Sequence, residues 1–300
     1  MNIEVIENFD AKNLTSFKVS GLIKKAFFPK NTDELIHLLK TLKSPLVLGN
    51  CSNVLISSFG YNGDVIFTTK CNSINVKNNK ITAECGAKGP MASKIALENS
   101  LSGFEFMIGF PGSIGGEVYM NASAHGQAIS DFLTSTTVFD TQSKQILTLS
   151  KDELEFDYRK SICQTKNYVI LTAEFELKPE NSEVIKEKMN SNLDFRKNHQ
   201  PSLALPNCGS VFKNPENNSA GKLLDSVGAK EMNISKAKVW ENHANFIINN
   251  GATSTDILNL MLLMYNKVKE IHNIQLKPEV IYIGNNSKQE EEIWKILQQK

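Results

Sequence analysis

The 300-residue chain has almost no net charge, with 33 Lys plus Arg against 32 Asp plus Glu. Nucleic-acid-binding proteins usually gather a basic excess on one face, so this balance argues against that class. Long hydrophobic runs are also missing. The longest, Leu260-Met-Leu-Leu-Met-Tyr265, falls far short of the roughly 20 residues that a bilayer requires. At the amino terminus, Asn2-Ile-Glu-Val-Ile-Glu7 offers neither the basic region nor the apolar run of a secretory signal. The five cysteines, Cys51, Cys71, Cys85, Cys163 and Cys208, are odd in number and form no C-x-x-C pair. That excludes a disulfide frame and a zinc site and suits a reducing cytoplasm. Two common nucleotide motifs fail as well: no G-x-x-x-x-G-K-[ST] occurs, and Gly109-x-x-Gly112-x-x-Gly115-Gly116 is not a G-x-G-x-x-G set between a strand and a helix.

With 41% hydrophobic residues, the chain can bury a real core and is long enough for two domains. The densest punctuation is Ile108-Gly-Phe-Pro-Gly-Ser-Ile-Gly-Gly116, which leads on to Asn121. Glycines there permit positive φ angles and close approach to the main chain. Several N–H groups aimed at one spot would form a phosphate-binding concavity. A plain glycine-rich turn is the alternative. Gly49-Asn-Cys-Ser-Asn53, between the apolar strands Pro45-Leu-Val-Leu48 and Val54-Leu-Ile-Ser57, is a second candidate phosphate loop. A long diphosphate cofactor could lie between the two.

Taken in order, the pattern predicts a strand at Ala26-Phe-Phe-Pro29 and a helix capped by Thr32 with Leu35, Leu38, Leu39 and Leu42 on one face. Strands follow at 64–67 and 80–85, then a short helix over 91–99. Further strands are predicted at 135–139, 145–149 and 168–177. In the last, Thr172, Glu174 and Glu176 alternate with Ala173, Phe175 and Leu177, giving one wet and one packed face. The texture becomes charged and helical after Pro179, with Ile185, Met189 and Leu193 as a stripe. This places a domain boundary near residue 180. Beyond it, strands are predicted at 245–249 and 280–283. Between them lies a long helix, 254–271, with Ile257, Met261, Met264, Val268 and Ile271 at helical spacing. The tail carries a capping-box pattern, Ser287-Lys-Gln-Glu290. The expected division is therefore 1–180, 181–285 and a helical tail, 286–300.

Seven segments then line up with one known family. Gly49-Asn-Cys-Ser-Asn53, Gly109-Phe-Pro-Gly-Ser-Ile-Gly-Gly116 with Asn121, Tyr158-Arg-Lys-Ser161, Gly209-Ser-Val-Phe-Lys-Asn-Pro215, Ala220-Gly-Lys-Leu223, His243-Ala-Asn-Phe246 and Leu276-Lys-Pro-Glu-Val280 resemble the UDP-N-acetylenolpyruvoylglucosamine reductases in order and spacing. The short passage from Cys163 to Asn207 resembles the shorter form of the family, which lacks an inserted substrate loop. The resemblance implies an α+β fold: a vanillyl-alcohol-oxidase-type FAD-binding domain, then a smaller α+β substrate-binding domain. FAD would be held non-covalently by Gly49, Asn50, Cys51, Ser52, Asn53, Gly109, Pro111, Gly112, Ser113, Gly115, Gly116 and Asn121. No metal is implied.

The implied reaction belongs to peptidoglycan precursor synthesis. NADPH reduces the flavin and leaves; UDP-N-acetylglucosamine enolpyruvate then takes a hydride on its vinyl carbon, and the resulting enolate is protonated. Ser210 matches the family's proton donor. Arg159 and Glu279 match the groups at the substrate carboxylate, the first as a two-pronged donor. Glu279 would serve either as a neutral acid donating to the same carboxyl group or as the group that orients a proton relay. Tyr158, Lys213, Asn214 and His243 fall where the family contacts the sugar nucleotide. The implied enzyme is a cytoplasmic monomer with no nucleic-acid or membrane partner. Departures from the family pattern are Cys51 at a usual glycine, His125 at a usual tyrosine, Lys18 at an arginine, and Ser20-Gly21-Leu22 in place of a Gly-Gly-Pro-like turn. Two other readings are a flavin oxidase of the same fold, with His125 as the one candidate tether, and a catalytically dead nucleotide-binding relative.

Overall fold

The computed structural model describes residues 2–299 and contains two compact units interleaved along the chain. The first comprises the chain through residue 6, 25–50 and 64–196; the second comprises 7–24, 51–63 and 197 onward. This differs from the consecutive ranges expected from the sequence, because short early segments complete the second core while most of the helix after Pro179 belongs with the first unit. Its register explains why. In helix Ser182–His199 (called α4 below), Ile185 and Met189 are buried against Ile108 and Leu97, and the Asn192 amide donates to the Glu105 carbonyl at 3.0 Å. Leu193, expected on the same stripe, is exposed.

The first unit is built on a five-stranded antiparallel sheet, in the order Gln145–Ser150, Leu133–Asp140, Tyr168–Glu176, Lys80–Glu84, Ile74–Lys77. Ala173 pairs with Ala83 and Phe175 with Ile81 on the packed face. Thr172 and Glu174 face the other way and are half-buried, as the alternation required. Burying a side chain such as Phe175 contributes roughly 1.5–3 kcal/mol. The helices are α1 (Thr32–Thr41), α2 (Gly89–Glu98), α3 (Ile114–Tyr119) and α4. Thr32 is not the cap of α1. Asn31 takes that position, accepting from the Glu34 N–H at 3.0 Å, while Thr32 gives its N–H and hydroxyl to Glu84. Helix α3 starts inside the glycine run itself, which an apolar pattern does not reveal. The strand Glu4–Asp10 has almost no buried residue, so alternation could not mark it either.

The second unit holds a three-stranded antiparallel sheet, Asn233–Ile234, Ala237–Val239 and Ile247–Asn249, and a parallel pair of Val54–Ile56 with Ile281–Ile283. Its helices are α5 (Ala220–Ser226), α6 (Ser254–His272) and α7 (Lys288–Leu297). A capping box starts α6: Thr253 accepts from the Asp256 N–H, and Asp256 accepts from the Thr253 N–H. Ile257, Met261, Met264 and Val268 are buried, but Ile271 is 57% exposed; it lies in the last turn, past the end of the core. At α7, Ser287 caps the Glu290 N–H at 3.3 Å. The Glu290 carboxylate does not return to the cap as the sequence pattern suggests. It is fully buried and accepts from the hydroxyls of Ser57, Ser254, Thr255 and Tyr282, so the tail helix is an integral part of this unit. Among the described residues no helix is long and apolar enough to cross a membrane.

Candidate active site

In the first unit the two glycine loops meet. The Asn50 side-chain amide donates to the Pro111 carbonyl. A Cβ on Gly49 would come 2.2 Å from Ser113 Oγ. That hydroxyl is buried and has no hydrogen-bond partner among the described residues. A hydroxyl at a glycine cradle, lacking a protein acceptor, suits a phosphoryl oxygen, so these residues fit the diphosphate of FAD.

None of the four glycines of the 109–116 run takes a left-handed conformation, and three of them serve close approach instead. Gly115 donates to the Cys85 carbonyl at 2.8 Å, and a Cβ there would lie 2.8 Å from that of Cys85. Gly109 accommodates the Arg196 stem, whose Cδ lies 2.9 Å from the position of a Cβ. Burial lowers the Arg196 guanidinium below its ordinary value. No motif in the sequence singles out this partly buried cation beside the glycine loop. Gly112 faces the buried Glu117 carboxyl group, and Gly116 follows Ser113 with room to spare.

Left-handed backbone occurs instead at Cys51 (φ 51°), Asn121 (43°), His125 (54°) and Arg159 (53°). Non-glycine residues hold such angles only where the surroundings impose them. For Arg159 the cause is visible. Asp157 and Lys160 exchange both backbone hydrogen bonds at 3.1 Å, forming a tight turn with Tyr158 and Arg159 at its tip. Gln164 Nε2 donates to the carbonyls of Arg159 and Tyr119, at 3.0 and 2.8 Å. Asn121, expected against the cofactor, donates its amide to the Asp157 carbonyl at 3.1 Å and accepts from the Ser130 N–H at 3.3 Å. Asn121 and Gln164 thus fasten the Arg159 turn to the end of α3, a role invisible from sequence spacing. The Arg159 Cζ lies over the Tyr158 ring, 5.2 Å from its centroid, and Nη1 donates to Ser123 Oγ at 2.7 Å.

In the second unit the Ser210 segment lies between two others. Ser210 pairs with Phe246 and Phe212 with Pro278. Val211 donates its N–H to the Asn245 carbonyl and accepts the Glu279 N–H at its own carbonyl, both at 2.9 Å. The buried Asn245 amide binds both N–H and C=O of Phe212, at 3.0 and 2.8 Å. Lys213 N–H reaches the Lys277 carbonyl at 2.8 Å. Three stretches far apart in sequence therefore run side by side, and they bring Ser210 and Glu279 onto neighbouring stretches. Asn53 Nδ2 donates to the Glu279 carbonyl at 2.9 Å, so this residue of the first expected loop also helps hold Glu279. Cys208 lies close enough to Glu279 that burial first, and then that carboxylate, push its thiol up.

His243 is half-buried, and burial lowers its imidazole below the ordinary value. Its Nδ1 accepts from the Asn245 N–H at 3.1 Å, which places the proton of the neutral ring on Nε2. Gly221 leaves room for that ring: a Cβ would lie 2.8 Å from Cε1. Asn214 Oδ1 accepts from the Ala220 N–H at 2.9 Å, at the start of α5.

A phosphate cradle in one unit and, in the other, Ser210 and Glu279 on backbone-paired stretches suit a flavoprotein built of two interleaved units. Comparison with known proteins agrees: residues 23–150 match the FAD binding domain family, and residues 200–283 match the C-terminal domain of UDP-N-acetylenolpyruvoylglucosamine reductase. The chain is 38% identical to the UDP-N-acetylenolpyruvoylglucosamine reductase of Caldicellulosiruptor saccharolyticus, over 95% of this chain and 93% of that protein. It is 40% identical to the reductase of the same name from Caldanaerobacter subterraneus subsp. tengcongensis, over 92% and 93%. The crystal structure of the Thermus caldophilus UDP-N-acetylenolpyruvylglucosamine reductase superposes with a TM-score of 0.80 at 29% identity, covering 94% of this chain and 99% of that one. The chain belongs to the UDP-N-acetylenolpyruvoylglucosamine reductase family.

Proposed function

We propose that this chain reduces UDP-N-acetylglucosamine enolpyruvate to UDP-N-acetylmuramate with NADPH, as a step of peptidoglycan precursor synthesis. The observation that carries the site assignment is the pairing of Glu279 with Val211, which sets the Ser210 and Glu279 motifs on adjacent extended stretches although 69 positions separate the two residues. Bound FAD supplies the hydride chemistry. Gly49, Asn50 and Ser113, with the 109–116 loop, hold its diphosphate.

Arg159 binds the substrate carboxylate and stabilises the enolate charge that grows there. Its fixed left-handed turn presents the guanidinium from a defined place. Ser210 Oγ gives its proton to the enolate carbon. A serine hydroxyl is a weak acid and serves only toward a strongly basic carbon held within hydrogen-bond reach. Glu279 acts at the carboxyl group or orients the proton on its way to Ser210. His243 offers an Nε2–H donor to the sugar nucleotide, alongside Tyr158, Lys213 and Asn214. The enzyme acts as a cytoplasmic monomer, which sedimentation of the purified holoenzyme and cell fractionation test.

Following NADPH absorbance with and without the enolpyruvyl substrate tests the reading; NADPH oxidation that ignores the substrate would overturn it. Ser210→Ala separates the roles further. Flavin reduction by NADPH stays near normal in this variant, while the substrate half-reaction slows at least about a hundredfold. Loss of both half-reactions together would assign Ser210 a structural role.

A further inference from the structure

We infer that Ser123 is a positioning residue for the reaction, holding the Arg159 guanidinium in the orientation that receives the substrate carboxylate. The inference rests on the assignment of Arg159 to that carboxylate. Backbone contacts alone do not orient the group. Gln164, Asn121 and the 157–160 pairing fix the main chain of the turn, but an arginine side chain keeps several rotatable bonds beyond its Cα. At the far end, Cζ lies over the Tyr158 ring at 5.2 Å, and Nη1 donates to Ser123 Oγ at 2.7 Å. A cation–π contact is weakly directional and leaves the guanidinium free to turn. The Ser123 hydrogen bond supplies the direction.

Ser123 is itself well placed to do this. It opens the small hairpin Ser123–Ala124 and Gln127–Ala128, where Ala124 pairs with Gln127 and Ser123 with Ala128. The two-residue tip, His125 and Gly126, has φ angles of 54° and 77°, as a tight primed turn requires. The His125 ring packs edge-on against Phe195 of α4, with centroids 5.2 Å apart. The same segment is tied at its start, because Asn121 is bonded to the Arg159 turn. A hydroxyl accepting from a guanidinium keeps its own O–H to donate, so Ser123 can hold Arg159 without competing for the negative charge that Arg159 binds. A carboxylate at 123 would compete.

The test uses the holoenzyme. Ser123→Ala is expected to slow reoxidation of the NADPH-reduced enzyme by the enolpyruvyl substrate about ten- to a hundredfold, the usual worth of one hydrogen bond to a charged group. Flavin reduction by NADPH and the flavin absorbance spectrum stay unchanged. Ser123→Thr, which keeps the hydroxyl, restores the rate to within about threefold. In an Arg159→Ala background, Ser123→Ala adds less than about twofold, because the two residues act as one unit. An unaffected Ser123→Ala beside an impaired Arg159→Ala overturns the inference and leaves the arginine assignment standing. An unaffected Arg159→Ala overturns the assignment itself. Loss of both half-reactions or of bound flavin in Ser123→Ala, or an undiminished Ser123→Ala effect without Arg159, likewise overturns the inference.

Discussion

Glu290 in the second unit and Glu117 in the first are withdrawn from solvent to the same degree, at 0% and 3% exposure, yet their surroundings differ in kind. Four hydroxyl groups converge on Glu290, from Ser57, Ser254, Thr255 and Tyr282. They come from the end of one strand, the start of α6 and a second strand. Both oxygens of Glu117 are buried with no hydrogen-bond partner among the described residues. Its neighbours include Gly89 and Gly112, which have no side chains to offer. Burial pushes the Glu117 carboxyl group up to about 8, and no neighbouring charge opposes the desolvation. The local supply of donors, and not the depth of burial, decides whether a buried acid fastens a structure or stays neutral within it.

The largest effect expected from this contrast is at Glu290. Glu290→Ala removes the acceptor of four buried or partly buried hydroxyls and costs on the order of 4 kcal/mol, read as a fall in the urea midpoint. A loss below about 1 kcal/mol would mean that the hydroxyls re-pair among themselves and that α7 is held by its apolar face alone. Glu117 gives the opposite sign. Its folded value lies above the ordinary 4.5, so between about pH 4.5 and 8 the folded state holds a proton that the unfolded chain releases. Its contribution to stability is therefore present below 4.5 and is lost as the pH rises toward 8. Glu117→Gln should match the parent at pH 5 and exceed it by roughly 3 kcal/mol at pH 8. Parallel pH–stability curves for the two proteins would show that Glu117 is ionised and paired in the folded state.

A single member of the Glu290 cluster should matter less. Tyr282→Phe keeps the ring and its packing on Trp294 but deletes one donor, for a loss of about 1–2 kcal/mol. A larger loss would show that the network is cooperative. At the bottom of the scale, Ile271→Ala should change the thermal midpoint little, within about 0.5 kcal/mol. That residue fits the α6 stripe by spacing but lies outside the core. A core-sized penalty there would point to a contact made by this face.

The elements most legible in the sequence were those whose burial follows one clear period. The strand at 168–177 and most of the α6 stripe, from Ile257 to Val268, are examples, because one face of each meets a core. Thr32, Leu193 and Ile271 mark the boundary of that logic. Each fits a local pattern, and a distant partner or the edge of the core overrides it, as Glu84 does for Thr32. The glycine run stood out from composition alone as a candidate phosphate loop, with a plain turn as the alternative. The work of its glycines did not, since close approach to Cys85, Arg196 and Glu117 depends on segments far away in the chain. Arg159, Ser210 and Glu279 stood out through their motifs, whereas Ser123, Gln164, Asn245 and Arg196 act through contacts that spacing does not encode.

Composition, apolar period and motif order by themselves showed apolar content for a real core in a chain long enough for two domains, two glycine-rich candidate phosphate loops, and the ordered segments of one reductase family. These are local or additive properties, and a linear chain displays them directly. Tertiary structure alone decided which segments share a unit, which of two equally buried acids has partners, and why a left-handed Arg159 is held by Gln164 and Asn121. Each of those outcomes depends on groups that only folding brings within hydrogen-bond or van der Waals distance. The 109–116 run shows both sides: its glycines are written in the sequence, but only the folded neighbours show that Gly109, Gly112 and Gly115 are closely approached while Gly116 is not.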